Sequence, residues 1–546
     1  MTKINSVLLF FVSIFCCMAI VGMFRKRKTD DKTAGTVTDH AYWIILGVGI
    51  FLAVAIRIYR FGSVPGGMNQ DGAMAAVDAK ALADYATDRF GMYMPVHLTA
   101  WGYGQMSSLL SYLMVPFIKV AGLSVMTARL PLLIVSLAGL ACLYLFVREV
   151  FNKNIALVVF LFAAINPWNI LQSRWALDCN LFAHFLIIGL YFLYKGLSKT
   201  RYLVVSMIFF GLSMYCYGIS IYSVPLFLVA SCIYLLVKKS INIKQALLCV
   251  GVWLLVAWPF IATMAINYFG METIKTPFFT IPFFPDSVRS NDILFFSDNI
   301  SEQLAANIKS FVNLILLQTK DLPWNDVEGF GSMYLFSLPF AVVGLVAAVK
   351  KQRKNPGMIL MLFLLLTGVW VGMTTNGINI NRINLIFYPI IFFVGYGIYE
   401  SICFVSYAKY VIGVVYLVFF CMFTNTYFTT YAEQISQCFF QSFGEAVSEV
   451  KDSDAQRFYI TADSQYEGAS AVSEILTLFY HDIDAEYFQS EEFHNDYVFD
   501  SIKNITIDPN EDAVYVVTAN DMQYFDLTRF DYKQFGYYYV VKSKTK

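Results

Sequence analysis

About twelve runs of roughly 20 mostly apolar residues, each long enough to cross a bilayer as a helix, dominate this sequence. They lie near 5–24, 40–59, 128–147, 155–172, 180–196, 202–217, 220–237, 245–266, 332–349, 358–374, 384–402 and 408–428. Hydrocarbon offers no partner for a backbone N–H or C=O, so runs of this kind must satisfy their hydrogen bonds internally, as helices. Composition agrees. Of 546 residues, 58% are hydrophobic and only 14% charged, too little charge to cover a soluble protein of this length. Fifty Phe and 35 Tyr suit a lipid-facing surface with aromatic belts at headgroup level. The net charge of zero gives no basic field, so nucleic acid is not an expected partner. The ten Cys lie mostly inside apolar runs without a CxxC pair, and the five His are scattered without HExxH spacing. Neither structural disulfides nor a thiolate or histidine metal site is expected.

The connections alternate in charge. Arg25-Lys26-Arg27-Lys28 and the basic stretches at 148–153, 195–201, 238–244 and 350–354, with Lys409, fall in every second connection. The positive-inside rule puts these in the cytoplasm. Both termini then lie outside, which requires an even number of spans. The first run is followed rather than preceded by its basic cluster and has no small-residue cleavage site, so it reads as a retained span and not a signal peptide. Residues 1–39 form this extra helix and a basic loop, and 40–430 a transmembrane domain with long outer loops at 60–127 and 267–331. The stretch 105–122, interrupted by Pro116 and Lys119, reads as an interfacial helix, and 300–318 as a second helix at the outer surface. From about 431 to 546 the chain becomes polar and mixed. Short β-like runs at 458–460, 514–517 and 537–541 alternate with a helical pattern at 467–480, which predicts a small extracytoplasmic α/β domain. The fold class is therefore an all-α polytopic membrane protein with a soluble α/β domain at its carboxyl end.

The residues able to do chemistry gather at the outer ends of the spans. Val64-Pro65-Gly66-Gly67-Met68-Asn69-Gln70-Asp71 ends one helix, and Asn69 or Asp71 caps the next, predicted over 72–86. Asp71 reads as a helix N-terminal residue favoured by the macrodipole, or as a reactive carboxylate. Asp78, seven residues on, shares its helix face about 10 Å away, too far to share a proton but placed to line the same cavity. Asp88-Arg89-Phe90-Gly91 reads as a turn. In Ser173-Arg174-Trp175-Ala176-Leu177-Asp178, Arg174 and Asp178 are either an interfacial i,i+4 pair or part of a polar site at the membrane surface. Arg382, beside Asn381, is another cation on the outer side, as are Arg57 and Arg60. Each either snorkels to headgroups or binds a phosphate. Tyr215, Tyr217 and Tyr222 form an interface belt or a stacking surface for a sugar.

Taken in order, 65–73, 88–95, 100–110, Ala128-Arg129-Leu130-Pro131, 173–180 and 381–389 resemble the bacterial branch of the GT-C glycosyltransferases. This branch is similar to the dolichyl-phosphate-mannose protein mannosyltransferases and the lipid A aminoarabinose transferases. The resemblance covers roughly 40–430. It implies transfer of a sugar from a polyprenyl-phosphate carrier to a protein, glycan or lipid acceptor outside the plasma membrane, with an acidic residue of the first outer loop as general base. Asp71 matches that acid. The Glu that usually follows is Gly72 here, so Asp78 or Asp178 is implied as the second acid. Asp178 matches the acid after the Ser-Arg turn, and Arg382 a polar position near the lipid phosphate. Some members use a divalent metal, but no dedicated ligand set stands out in this sequence, and no cofactor is otherwise implied. Two other readings remain: a scaffold that displays the carboxyl-terminal domain, and a lipid-linked sugar transporter. The second would call for paired halves with broken helices, which are not evident.

Overall fold

The computed structural model describes residues 2–25, 38–102, 104–285 and 293–544; the basic residues 26–28 and part of the second outer loop lie outside these. Helices α1 (Thr2–Phe24) and α2 (Asp39–Ile58) are followed by α3 (Gln70–Tyr85), the hairpin β1 (His97–Thr99) and β2 (Gln105–Ser107), and α4 (Leu109–Ala121). The bundle continues through α5 (Val125–Val150), α6 (Lys153–Ile165), α7 (Pro167–Leu171), α8 (Asp178–Gly196), α9 (Arg201–Leu212), α10 (Ser220–Val237) and α11 (Ile243–Phe269). A second excursion carries β3 (Ile274–Lys275), β4 (Thr280–Ile281) and α12 (Ile300–Val312) before α13 (Leu338–Lys351), α14 (Pro356–Thr374), α15 (Phe387–Phe404) and α16 (Ala408–Phe428).

Among the described residues, nine helices are long and apolar enough to cross a membrane. The other three expected spans take shorter or broken forms. The run 155–172 divides at Asn166, which accepts the Asn169 N–H at 3.2 Å and starts α7, because Pro167 cannot donate to continue α6. The run 202–217 is α9 closed by a 3-10 turn, Ser213–Tyr215. The run 332–349 is a 3-10 turn, Leu335–Ser337, leading into α13. Helices α8 and α15 lie at the centre of the bundle and α1 at its rim. Close packing at the centre depends on small residues, as expected where lipid removes the hydrophobic drive between helices. Gly344 on α13 and Gly397 on α15 face each other so closely that a Cβ on either would collide with a backbone carbonyl of the other helix.

Contacts separate the two ends of the bundle. At one end the basic connections tie neighbours together, through Lys153–Asp39, Lys351–Glu400 and Lys195–Glu149. At the other end lie α3, the 172–180 turn, the 375–386 segment and the carboxyl-terminal part.

That last part comprises α17 (Thr430–Cys438), α18 (Gln441–Glu449), β5 (Arg457–Thr461), α19 (Ser470–His481), α20 (Ala485–Phe488), α21 (Glu491–Asp496), β6 (Tyr497–Asp500), β7 (Ala513–Thr518), β8 (Phe530–Phe535) and β9 (Tyr538–Ser543). The strands form one mixed sheet in the order β6-β5-β7-β9-β8, with β5 parallel to β6 and β7, and β9 antiparallel to β7 and β8. Central β7 is buried along its whole length, which explains its unbroken apolar run. The edges are β6 and β8; β8, Phe530–Phe535, has no apolar run, and its exposed polar residues blunt further pairing.

Candidate functional site

Two buried arginines build the frame of the site. Arg174 is fully buried, and its guanidinium donates to the carbonyls of Ile56, Arg57, Tyr59, Arg60 and Val64 at 2.6–3.3 Å and to the Tyr427 hydroxyl at 3.1 Å. The carbonyls of Ile56, Arg57 and Tyr59 end α2, where a cation also meets the negative end of the helix dipole, and those of Arg60 and Val64 belong to the loop that follows. The pairing with Asp178 suggested by their spacing gives way to this clamp, and Arg174 keeps no N–H for a phosphate. Arg129 on α5 does the same for the following loop, donating to the carbonyls of Pro65 (2.8 Å) and Gly67 (2.6 Å). Together they fix the path of 56–67 and so the start of α3.

Asn69 caps α3 by accepting the Asp71 N–H at 3.0 Å. Asp71, in the first helical turn, is half-buried, and its Oδ1 accepts the Trp101 indole N–H at 2.5 Å. The first turn packs on the 172–180 turn: a Cβ at Gly72 would come within 2.7 Å of the Ala176 carbonyl. A glutamate at position 72 is therefore incompatible with this packing. The second acid at this place is Asp178, buried at the start of α8, and both carboxylates lie within electrostatic reach of Cys179. Asn384 closes the far side. Its Oδ1 accepts the Trp168 indole N–H at 2.9 Å, and its Nδ2 reaches the Cys179 carbonyl at 3.3 Å.

The other expected site residues divide. Asp78 is fully buried and ion-paired with Arg89 at 2.7 Å, and it also accepts the Arg89 backbone N–H at 3.1 Å. Its carboxylate holds the 86–99 segment instead of facing a cavity. Arg57 is buried among α2, α6 and α7, donating to Ala53 O, Ala164 O and Asn169 Oδ1. The Tyr215 hydroxyl donates to Val256 O at 2.8 Å, and Tyr217 is half-buried in the same turn. Arg60 is exposed at the end of α2, touching Phe428 O at 3.2 Å. Arg382 and Asn381 are half-buried, with Arg382 donating to Asn376 O at 2.5 Å. The Asn381 Oδ1 is buried and has no partner in the structure. Sequence reasoning did not find Trp101 or Arg89 as site residues, since nothing in their spacing points to acids 30 and 11 residues away. Among the described residues no group of three or more His, Cys, Asp or Glu side chains lies close enough to hold a metal ion.

Asp88 carries a testable electrostatic signature. Its Oδ1 accepts the N–H groups of Phe90 (3.0 Å) and Met92 (2.9 Å), while its Oδ2 is buried without a partner. Burial, and then the neighbouring Asp78, push its pKa up to about 7. An unfolded Asp titrates at about 3.9, so between pH 4 and 7 the folded loop binds the extra proton. Its stabilisation is complete below about pH 4 and is lost as pH rises through about 7. Protection factors of the 86–99 amides, each rate taken relative to the intrinsic exchange rate at that pH, should be larger at pH 5 than at pH 8, and Asp88→Asn should flatten that difference. An unchanged pH dependence in the variant would refute it. Burial lowers the His97 imidazole to about 3, so it is neutral near pH 7.

Comparison with known proteins identifies the architecture. Residues 107–266 match the family model described as dolichyl-phosphate-mannose-protein mannosyltransferase. The crystal structure of ArnT from Cupriavidus metallidurans bound to undecaprenyl phosphate aligns with a TM-score of 0.57 at 12% identity, covering 92% of this chain and 98% of that one. The apo structure of the same protein aligns at 0.54 and 13% identity over the same shares. The Archaeoglobus fulgidus oligosaccharyltransferase is matched at 0.49 and 12%, over 81% of this chain and 64% of that one. No curated protein matches by sequence. The chain thus has the fold of a GT-C glycosyltransferase. Over residues 107–266 it is similar to the protein mannosyltransferase family, and its fold is the one that the sequence resemblance implies.

Proposed function

We propose that this protein transfers a sugar from a polyprenyl-phosphate carrier to an acceptor outside the plasma membrane, with Asp71 as general base. The observation that carries this reading is the placement of Asp71. It is a half-buried carboxylate at a helix N-terminus, held by an indole N–H, beside a second acid at the junction of bundle and carboxyl-terminal domain. A donor embedded in the bilayer can be met by a polar acceptor only at such an end of the bundle. Asp71 takes the acceptor hydroxyl's proton as that oxygen attacks the anomeric carbon. The carrier phosphate leaves with its charge, which the cations at the same end, Arg60 and Arg382, stabilise electrostatically. One direct displacement inverts the anomeric centre. Asp178 takes the place of the second acid that Gly72 cannot provide. The test is turnover: purified protein, undecaprenyl-phosphate hexoses and pentoses, and release of the carrier phosphate, with wild type against Asp71→Asn. Equal turnover in both overturns the role of Asp71. The packing of Gly72 also favours a second reading, a scaffold that has given up catalysis, which predicts no turnover with any donor.

The reading requires the Asp71 end to face out. In a cysteine-free background, Asn520→Cys should react with an impermeant maleimide in intact cells, and Ser198→Cys only after permeabilisation. The reverse pattern would invert the topology and remove the proposal.

A further inference from the structure

We propose that the carboxyl-terminal domain positions the general base, acting through Trp101. This rests on Asp71 being that base. Trp101 touches the reacting carboxylate's oxygen at 2.5 Å, and its indole N–H can only donate, so it favours the ionised carboxylate. Trp101 sits in the turn between β1 and β2, and that turn has two supports. Within the bundle's own excursion, Arg89 donates to Thr99 O at 2.9 Å, two residues before Trp101, while pairing with Asp78 on α3, the helix that carries Asp71. From the carboxyl-terminal domain come the other contacts. Gln489 Nε2 donates to Arg89 O at 3.1 Å, and Phe488 packs on Phe90 with ring centres 5.7 Å apart. Next to Trp101 itself, a Cβ on Gly102 would come within 2.9 Å of the Ala471 methyl of α19. The domain thus closes over the turn at Gly102 and over Arg89, on either side of Trp101. Such close support is what a hydrogen bond to a catalytic group needs, since small displacements cost much of its effect.

Two measurements on the full-length protein test this. In the first, the pH dependence of turnover is recorded with whichever undecaprenyl-phosphate sugar the wild type uses best. Trp101→Phe should move the acid limb of the profile up by about one pH unit, a tenfold loss of rate on that limb. Ala471→Leu, which crowds the turn from the domain side, should move it in the same direction. The second needs no donor. With 15N-labelled indoles in detergent, the resonance missing from Trp101→Phe should move on acidification, and should be displaced in Asp71→Asn and in Ala471→Leu. An acid limb unmoved in either Trp101→Phe or Ala471→Leu, or an indole resonance indifferent to Asp71→Asn, overturns the proposal. Should Trp101→Phe not assemble, Ala471→Leu decides alone, on the acid limb. Wild-type turnover in Asp71→Asn instead sinks the reading of Asp71 as base. Loss of turnover there, with the Trp101→Phe limb unmoved, sinks only the positioning role.

Discussion

Arg174→Ala is expected to abolish assembly of the protein. The guanidinium makes six hydrogen bonds, five of them to carbonyls that end α2 and begin the loop to α3, and it stacks 5.0 Å from Phe428 and 5.3 Å from Tyr427. A hydrogen bond to a charged group contributes about 1.5–3 kcal/mol, and a buried acceptor left without a donor costs about 1–3 kcal/mol. Losing several together removes a large part of the roughly 5–15 kcal/mol that keeps a typical folded protein intact. Arg174→Lys should rescue only partly, because an ammonium has three donors and no planar fork to span carbonyls on successive residues. Arg60→Ala, which removes an exposed side chain of the same charge, is the control. The measurement is the yield of monodisperse protein by size exclusion in detergent. A normal elution profile for Arg174→Ala would show that this clamp does not hold the site together.

Asp71→Asn is expected to cost about 10²–10⁴-fold in turnover, the usual contribution of a general base, with little change in KM for the donor. The substitution is informative because it isolates one property. An asparagine Oδ1 still accepts the Trp101 N–H, so the turn and the start of α3 should keep their shape while the group loses its capacity to take a proton. Loss of rate with unchanged thermal stability would separate chemistry from folding. A variant that both unfolds and fails to turn over would point instead to a structural role for the carboxylate.

The spanning helices were legible because a membrane helix is a local object. Each apolar run satisfies its own backbone, so length and hydropathy locate it without knowledge of neighbours. Where the reading missed, the cause was a local signal outweighed by a longer pattern: Asn166-Pro167 breaks α6 from α7 although hydropathy runs on through both. In the carboxyl-terminal domain, three short apolar runs mark β5, β7 and β9, edge β8 has no such run, and the run in edge β6, Tyr497 to Phe499, lies next to a short helix that hides it. Among the acids the sequence singles out, Asp71 and Asp178 stand at the starts of α3 and α8, and Asp78 is paired with Arg89. Sequence alone could not sort the arginines. Arg174 and Arg57 resemble Arg60 in the chain, yet the first two are enclosed and spend their donors on the protein, and the third is exposed.

What the sequence by itself determined is the membrane architecture and the end of the bundle at which the acids collect. Helix formation and the charge of a connection are properties of consecutive residues. Only the tertiary structure decided which charged groups remain for chemistry. It engaged Asp78 with Arg89, turned Arg174 onto α2, and left no room for a side chain at Gly72 against Ala176. It also set Trp101 on Asp71 across 30 residues and brought Asn384 to Cys179 across 205. The physical reason is that a buried charge must find a partner wherever the fold places one, and that partner is seldom near in the chain.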